Sequence, residues 1–404
     1  MTCPYRRVNP YRDAEPSQTG SAETNMGQIL PQTACPAKRA LSVERRRDKC
    51  VKGTKLCDLE TPALLVDLTV MEQNLATMAQ FFRGSHVKIR PHFKNHRVLA
   101  LAAKQMEAGA IGITCARLWE AEALVNHGIK NVLIANEIAG ESMIRRYAEL
   151  CREAPVIVAV DNAKVVAELA RGARNGKVES NVLVNLDLGL KRSGVRPGEA
   201  TLALAREVVE KGLKFRGLMG YEGHLQSLPP GPDKERVVKD ALQSLVESKN
   251  VVVRAGITVE IVSCGGTGDY SIAGRFPGVT ENQAGSFLLM DTWYAPFAPD
   301  FKVALSVLAT VISKTPGERF VVDAGVKAVS GERGLPSVKA ISGLRLRALH
   351  AEHAVIEILE PSVPVDVGDK IEIWVHYQDA TVHLHDRMYG IRNGVVEEVL
   401  EIEH

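Results

Sequence analysis

One lysine, Lys94, lies between two histidines in the segment RPHFKNHR, residues 90 to 97. The apolar HVKI before this segment predicts a short strand. The end of the segment overlaps the stretch NHRVLALAAKQMEAG. This stretch has apolar residues at helical spacing and a glycine where a helix would stop. Lys94 is therefore expected at a strand-to-helix junction, where parallel α/β proteins bind ligands. Because an amine held there can form a Schiff base, Lys94 is a candidate covalent anchor for a cofactor. The alternative is a solvated surface lysine.

Two glycine-containing segments could receive an anion. SCGGTGDYS, residues 263 to 271, directly follows the apolar run VEIV, and QAGSF, residues 283 to 287, follows the next predicted strand. Backbone N–H groups of a glycine-rich loop after a late barrel strand commonly bind phosphate. The alternative is an ordinary turn. The predicted phosphate-binding residues are Ser263, Gly265, Gly266, Thr267, Gly285 and Ser286.

Two further strand ends carry polar side chains. LDLGLKRSG, residues 186 to 194, places Arg192 where it could bind a cofactor hydroxyl or a carboxylate, although a salt-bridged strand end is the alternative. YEGHLQ, residues 221 to 226, places Tyr221 and His224 just beyond the following strand. An aromatic ring and an imidazole at such a position suit ring packing and acid–base chemistry.

The segment HYQDATVHLHD, residues 376 to 386, is the densest group of metal-capable side chains. If it is a strand, alternation places His383 and His385 on one face, whereas His376 and Asp379 need a bulge or turn to converge. Histidine and carboxylate ligands without thiolates suit Mg²⁺, Mn²⁺ or Zn²⁺. The alternative is a polar surface strand.

The elements that must position these residues begin at Thr61. Roughly eight short apolar runs alternate with amphipathic stretches, which predicts an α/β fold, a (β/α)₈ TIM-type barrel over residues 56–300. A doubly wound open sheet is the alternative. Residues 301–404 are β-rich without long helices and predict a smaller all-β domain, with TVHLH as one of its strands. The strand at 61–68, TPALLVDL, is expected to pair with that domain.

Composition limits the class of protein. The chain has 404 residues and a formal net charge of +2, and it lacks both the basic footprint of a nucleic-acid-binding protein and an apolar run of the ~20 residues that span a membrane. Seven cysteines without CxxC spacing predict free thiols in a reducing, intracellular compartment, cytoplasmic or organellar. The composition of residues 1–55 indicates a disordered or targeting segment, such as a transit peptide. The expected partner is a small molecule.

Several segments together identify a family. In order along the chain they are TPALLVDL, RPHFKNHR, GLMGYEGHLQ, SCGGTG, AGSFLLMD, VVDAGVKAVSGERGLP and AEH. Over residues 61 to 404 they resemble the D-threonine aldolase and D-serine dehydratase family of fold-type III pyridoxal-phosphate enzymes. The resemblance implies an alanine-racemase-like barrel that carries pyridoxal 5'-phosphate, a β domain after it, and a homodimer. It also implies that Lys94, in the motif RPH-x-K-x-H, forms the internal aldimine. We take Lys94, His92 and His224 as the catalytic residues.

The resemblance further implies a divalent metal beside the cofactor, held by a histidine and by an aspartate or cysteine just before a TVNLHD-like strand. Asp379 matches the carboxylate of the family pattern HCDPT. The family's histidine stands two residues earlier, where this chain has Tyr377, and the nearest histidine is His376. His376 and Asp379 are therefore the predicted metal ligands. Relatives often have lysine where this chain has Arg117, and we attach no mechanism to this difference.

The resemblance implies action on a D-amino acid that carries a β-hydroxyl group. In an aldolase the Cα–Cβ bond breaks to give glycine and an aldehyde, and in a dehydratase hydroxide leaves to give a keto acid and ammonia. Asp379, a hard oxygen ligand in place of the cysteine of D-serine dehydratases, favours D-threonine aldolase over a dehydratase of D-serine or 3-hydroxyaspartate. Two other classes are a non-catalytic pyridoxal-phosphate-binding protein, which would lack residues 300 to 404, and a cofactor-independent barrel enzyme.

Overall fold

The computed structural model describes residues 51–404. Its first long elements are strand β1, Ala63–Asp67, and helix α1, Leu68–Phe82. Asp67 begins the helix, because its carboxylate accepts a hydrogen bond from the Val70 N–H at 3.1 Å and so satisfies a donor that the first turn leaves free.

Eight short strands follow, and all of them run parallel. They are β2 Lys88–Ile89, β3 Ile113–Cys115, β4 Val132–Glu137, β5 Ile157–Val160, β6 Asn181–Leu186, β7 Lys214–Gly220, β8 Ile261–Cys264 and β9 Glu281–Asn282. Their order in the sheet is β2-β9-β8-β7-β6-β5-β4-β3. A parallel bridge between His92 and Thr114 joins the chain after β2 to β3, and the Thr114 N–H donates to Pro91 O at 2.8 Å. The ring of strands closes there, so the barrel prediction is confirmed and the open-sheet alternative is wrong.

Helices connect most of these strands. They are α2 Leu99–Glu107, α3 Leu118–Asn126, α4 Glu141–Glu153, α5 Ala163–Gly176, α6 Glu199–Glu210, α7 Pro232–Arg254 and α8 Tyr270–Ala273. Helix α8, between β8 and β9, has only four residues. The glycine-rich loop after β8 therefore occupies sequence that a full crossover helix would otherwise use.

The barrel strands bury both faces, which explains their continuous apolar sequences. One face contributes the inner cluster, formed by Leu133, Ile157, Ala159, Leu183, Met219 and Ile261. The alternate residues, such as Val132, Val158 and Val182, belong to the larger cluster that also includes the helices. This packing holds the carboxyl ends of the strands, and the loops after them, in a fixed arrangement.

A second sheet follows the barrel in sequence. It is formed by β10 Leu305–Thr315, β11 Arg319–Val322, β12 Leu344–Leu349, β13 Ala354–Ile358, β14 Lys370–Trp374, β15 Arg387–Arg392 and β16 Val395–Glu401. The order is β12-β13-β11-β10-β1-β15-β16, with β14 also paired to β10. Strand β1 therefore lies inside this sheet, antiparallel to β10 with Leu64 opposite Val307, and parallel to β15.

The prediction of a strand over TVHLH is wrong. Residues Gln378–Val382 form the short helix α9, and the chain turns before β15 begins. The Thr381 hydroxyl accepts a hydrogen bond from the Ser330 N–H at 3.1 Å, and Gln378 and Thr381 are buried. These tertiary contacts outweigh the β-propensity of Thr381 and Val382. Helix α9 packs against the turn that carries Lys94.

A disordered or targeting segment was predicted for residues 1–55, and its first 50 residues lie outside the described part of the chain. The described residues 51–55 are bonded to β16, since the Gly53 N–H donates to Val396 O at 2.8 Å and Lys55 forms a bridge with Val395. The four cysteines of residues 51–404, Cys57, Cys115, Cys151 and Cys264, are free thiols. Within the same residues, no helix is both long enough and apolar enough to cross a membrane.

Candidate active site

A cavity of about 540 Å³ lies at the carboxyl ends of the barrel strands. Ten of the thirteen predicted site residues line it, from six different segments of the chain. They are His92, Lys94, Arg192, Tyr221, Gly265, Gly266, Thr267, Gly285, Ser286 and Asp379. His224, Ser263 and His376 do not line it. The geometry thus brings most of the predicted residues together, while their roles stay predictions.

Lys94 is held by a short 3-10 turn, Phe93–Asn95, which three residues separate from the end of β2. Phe93 is fully buried and anchors the turn in the core. Before the turn, the buried Arg90 makes two hydrogen bonds to Glu281, at 2.9 and 2.6 Å, which tie β2 to β9. With this rigid support the Lys94 side chain, 41% exposed, extends into the cavity, where Nζ lies 3.2 Å from Asp379 Oδ2.

His92 caps the same turn from inside the cavity. Its Nδ1 accepts a hydrogen bond from the Lys94 N–H at 3.3 Å. Burial, and after it the positive charge of Lys94, lower the pKa of His92 well below its usual value. The ring is therefore neutral near pH 7 and carries its proton on Nε2, since Nδ1 is the acceptor. His92 can position Lys94 and offer one N–H to a ligand.

Asn95 joins three segments of the site, and sequence reasoning missed it. Its amide Nδ2 donates to Asp379 Oδ1 and, at 3.2 Å, to the Ser286 hydroxyl. Gly285 makes this junction sterically feasible, because a Cβ at that position would lie 2.1 Å from Asn95 Oδ1 and 2.8 Å from His92 Cβ. Its place next to Lys94 in the motif was the only signal for Asn95.

The glycine loop after β8 packs closely against the barrel. Gly265 has a φ of +80°, in the left-handed region that favours glycine, and a Cβ there would lie 2.2 Å from Asn282 Nδ2. A Cβ at Gly266 would lie 2.5 Å from Gln226 Oε1. The Thr267 hydroxyl accepts from the Phe287 N–H at 3.0 Å and so links this loop to the one after β9. Ser263 is fully buried beneath the loop, where its hydroxyl accepts from Gln283.

A buried polar network supports the glycine loop from behind. Asp269 accepts from the Gly266 N–H at 2.9 Å and from the Gln226 amide. Gln226 Oε1 accepts in turn from the Gly268 N–H at 2.9 Å and from the Tyr294 hydroxyl at 3.0 Å. Burial, followed by the charge of Asp269, raises the pKa of Glu222 well above its usual value, and burial also raises the pKa of Asp269. The pair therefore retains a proton at pH values where exposed carboxyls are ionised.

Arg192 and Tyr221 line the cavity together. The Arg192 guanidinium carbon lies 5.7 Å from the centre of the Tyr221 ring, a cation–π contact. Asp187 shapes the Arg192 loop by accepting from the Gly189 and Lys191 N–H groups, each at 2.9 Å. His224 is exposed outside the cavity, and its Nε2 lies beside Gly189, 3.2 Å from where a Cβ would stand.

Another part of the cavity lining is an aromatic wall, which we define as Trp293, Arg333 and Tyr377. The Arg333 guanidinium carbon lies 4.7 Å from the Trp293 ring centre and 5.1 Å from that of Tyr377. Asp291, also in the cavity lining, accepts from the N–H groups of Tyr294 and Gln378, each at 2.8 Å. Burial raises the pKa of Asp291 to about 6. Sequence reasoning missed this wall, although Arg333 lies within the quoted segment VVDAGVKAVSGERGLP and Trp293 stands two residues after AGSFLLMD.

The predicted metal ligands are not brought together by the fold. Asp379 lines the cavity, whereas the His376 ring lies outside it, with Nδ1 2.7 Å from the Thr292 hydroxyl. His383 is exposed and contacts Arg97, and His385 contacts Ala328 O. Residues 51–404 contain no group of three or more histidine, cysteine or acidic side chains able to hold a metal ion. The described donors thus do not fit the expected metal, and no chemical step is derived through it.

Two family models match the chain: "Alanine racemase, N-terminal domain" over residues 66–292 and "Putative serine dehydratase domain" over residues 304–391. A D-threonine aldolase from Arthrobacter sp is 32% identical over 357 residues, which cover 87% of this chain and 94% of that protein. A 3-hydroxy-D-aspartate aldolase from Paracoccus denitrificans (strain Pd 1222) is 31% identical and covers 86% and 92%. The crystal structure of D-threonine aldolase from Filomicrobium marinum matches with a TM-score of 0.84 and 33% identity, over 87% of this chain and 97% of that one.

Proposed function

Because the chain belongs to the D-threonine aldolase and D-serine dehydratase family of fold-type III pyridoxal-phosphate enzymes, as its sequence motifs indicate, we propose that it is a D-threonine aldolase. It would cleave D-configured β-hydroxy amino acids into glycine and an aldehyde. The observation that carries the proposal is the position of Lys94 Nζ, 3.2 Å from Asp379, in a cavity bordered by two glycine-containing loops. A homodimer is also expected, on the resemblance alone.

The residues of the cavity fit pyridoxal phosphate. Lys94 supplies the amine for covalent attachment, and its turn is fixed by Phe93 and His92. The loops at Gly265–Thr267 and at Gly285–Ser286 are joined through Thr267, so they could bind one phosphate group between them. Arg192, stacked on Tyr221, is the cation available to the ring hydroxyl of the cofactor or to a substrate carboxylate. Ser263 contributes from below the loop, without direct contact.

The cofactor, when bound, supplies an electron sink for the electron pair that is released when a bond at the substrate Cα breaks. The chain's own residues decide which bond that is. Asp379 lies beside Lys94 and is held by the Asn95 amide, so its carboxylate is placed to accept the proton of a β-hydroxyl group next to the cofactor. Removal of that proton favours cleavage of the Cα–Cβ bond.

The aromatic wall and the barrel loops both line the cavity in which the substrate would bind. Arg333 and Arg192 are the two guanidinium groups in the cavity lining, and each lies over an aromatic ring. A guanidinium fits a carboxylate in a bidentate manner, so either can orient the substrate. His92 adds a neutral N–H donor. His224, which is exposed outside the lining, has no contact from which a catalytic role can be argued.

A dehydratase acting on D-serine or 3-hydroxyaspartate is the second candidate, favoured by the match of residues 304–391 to a serine dehydratase domain. Product analysis with the cofactor-loaded protein separates the two. D-Threonine should give glycine and acetaldehyde, and D-serine should give little pyruvate. Formation of 2-oxobutanoate and ammonia from D-threonine would refute the aldolase proposal and support the dehydratase.

A further inference from the structure

The segment from His376 to Asp379 differs from the metal-binding pattern that the family resemblance implies. That pattern has a histidine two residues before the carboxylate, and this chain has Tyr377 there. A divalent cation held by protein needs several donors that converge on one point. The donors around Asp379 therefore decide whether this chain can hold one.

Both oxygens of Asp379 already have partners within the protein. Oδ1 accepts a hydrogen bond from Asn95, and Oδ2 lies 3.2 Å from the Lys94 ammonium. The positive charge beside this carboxylate is thus an amine of the chain itself. Asn95 is buried and also bonded to Ser286, so its bond to Asp379 does not depend on the state of Lys94.

His376 cannot take the place of the missing histidine, because its ring lies away from the cavity. It lies at a bend of the chain between β14 and α9, directly before Tyr377, which has φ of −141° and ψ of 104°. Tyr377 lines the cavity, while His376 Nδ1 contacts Thr292 and its Nε2 lies 3.3 Å from where a Cβ on Gly334 would stand.

Tyr377 presents an aromatic face and a neighbouring cation where a ligand would be needed. Its ring centre lies 6.2 Å from that of Trp293 in an edge-to-face arrangement, and the Arg333 guanidinium lies 5.1 Å from it. Arg333 and Asp379 both line the cavity, and the positive charge of this guanidinium repels a dication there. The wall thus disfavours a metal by charge as well as by donor type.

We infer that this chain holds no divalent cation at Asp379, and that Tyr377, with Arg333 on its ring, is the reason. The carboxylate that the family pattern would give to a metal is bonded instead to Asn95, and this bond does not require Lys94 to be free of cofactor. This inference concerns the binding of metal and not turnover, so it stands or falls separately from the proposed aldolase reaction. For that reaction it means that Asp379 acts on the substrate hydroxyl without help from a cation.

The test is titration of the pyridoxal-phosphate-loaded protein with Mn²⁺ after exhaustive chelation, with bound metal measured by electron paramagnetic resonance and by elemental analysis. The wild-type chain should contain less than one metal per chain as purified and should bind no stoichiometric Mn²⁺. Tyr377→His restores the histidine and should bind one Mn²⁺ per chain at least about tenfold more tightly than wild type, since loss of even a group that only supports a ligand typically weakens metal binding by about that factor or more.

Two controls locate the effect. Tyr377→Phe removes the hydroxyl without adding a ligand and should not gain Mn²⁺ binding. The double variant Tyr377→His with Asp379→Asn should lose it again. One tightly bound cation in the wild-type chain, lost in Asp379→Asn, would overturn the inference. If Tyr377→His loads cofactor normally but gains no Mn²⁺ binding, the assignment to Tyr377 is wrong. If Tyr377→His does not fold, the wild-type and Asp379→Asn titrations decide alone.

Discussion

Replacing Gly285 by alanine tests how the site positions Lys94. The new Cβ would lie 2.1 Å from Asn95 Oδ1 and 2.9 Å from His92 O, the two residues on either side of Lys94. The first contact is 1.3 Å short of the 3.4 Å at which ordinary van der Waals contact begins. The Phe93–Asn95 turn must therefore move by about an ångström. A displacement of this size at a reacting group costs roughly 10²-fold in rate.

We expect Gly285→Ala to lower kcat with D-threonine by about 10²-fold and to weaken pyridoxal-phosphate binding, at a cost of ~1–3 kcal/mol in stability from overpacking. Steady-state kinetics, cofactor titration and urea unfolding measure the three effects. Gly176→Ala is the matched control, since its nearest neighbour, the Ala148 Cβ, is 3.2 Å away on the outside of the barrel. Wild-type kcat and cofactor affinity in Gly285→Ala would refute the argument that this contact fixes the turn.

Three further predictions concern the loop, the lysine and the buried acid pair. Lys94→Ala should abolish turnover and the visible absorbance of bound cofactor but leave the unfolding midpoint nearly unchanged, because the side chain is 41% exposed; activity like that of wild type would contradict this. Gly266→Ala would place a Cβ 2.5 Å from Gln226 Oε1. It should raise the Kd for pyridoxal phosphate at least about tenfold, which corresponds to the lower end of the free-energy cost of overpacking. An unchanged Kd in a cofactor titration would mean that the loop is an ordinary turn. The raised pKa of Glu222 means that folding opposes its ionisation, so the wild-type free energy of unfolding should fall as pH rises from about 5 to about 8. Glu222→Gln should lessen that fall, measured by urea unfolding at the two pH values. If the free energies of unfolding of the two proteins differ by the same amount at both pH values, Glu222 does not cause the pH dependence.

The barrel and its loops could be predicted because their signals are local. Each core strand is a short apolar run that ends in glycine or polar residues, and parallel strands must carry such loops to one edge. Lys94, Gly265 and Gly285 were found in this way, and the cavity contains all three.

The aromatic wall could not be predicted in the same way, because Trp293, Arg333 and Tyr377 meet only through the second sheet. The direction of His376 depends on a single-residue register between β14 and α9, which no local pattern specifies. Asn95 looked like a spacer in its motif until the fold placed its amide between Asp379 and Ser286. Residues 381 to 385 were misjudged because the β-propensity of their sequence yields to burial of Thr381 against Ser330.

We propose Lys94 as the covalent anchor of pyridoxal phosphate. Reduction of the cofactor-loaded protein with borohydride fixes the cofactor to the amine that holds it, and peptide mass spectrometry then identifies the modified residue. We expect one pyridoxyl group per chain, on Lys94. A pyridoxyl group on a different lysine, or stoichiometric bound cofactor with Lys94 unmodified after reduction, would contradict it.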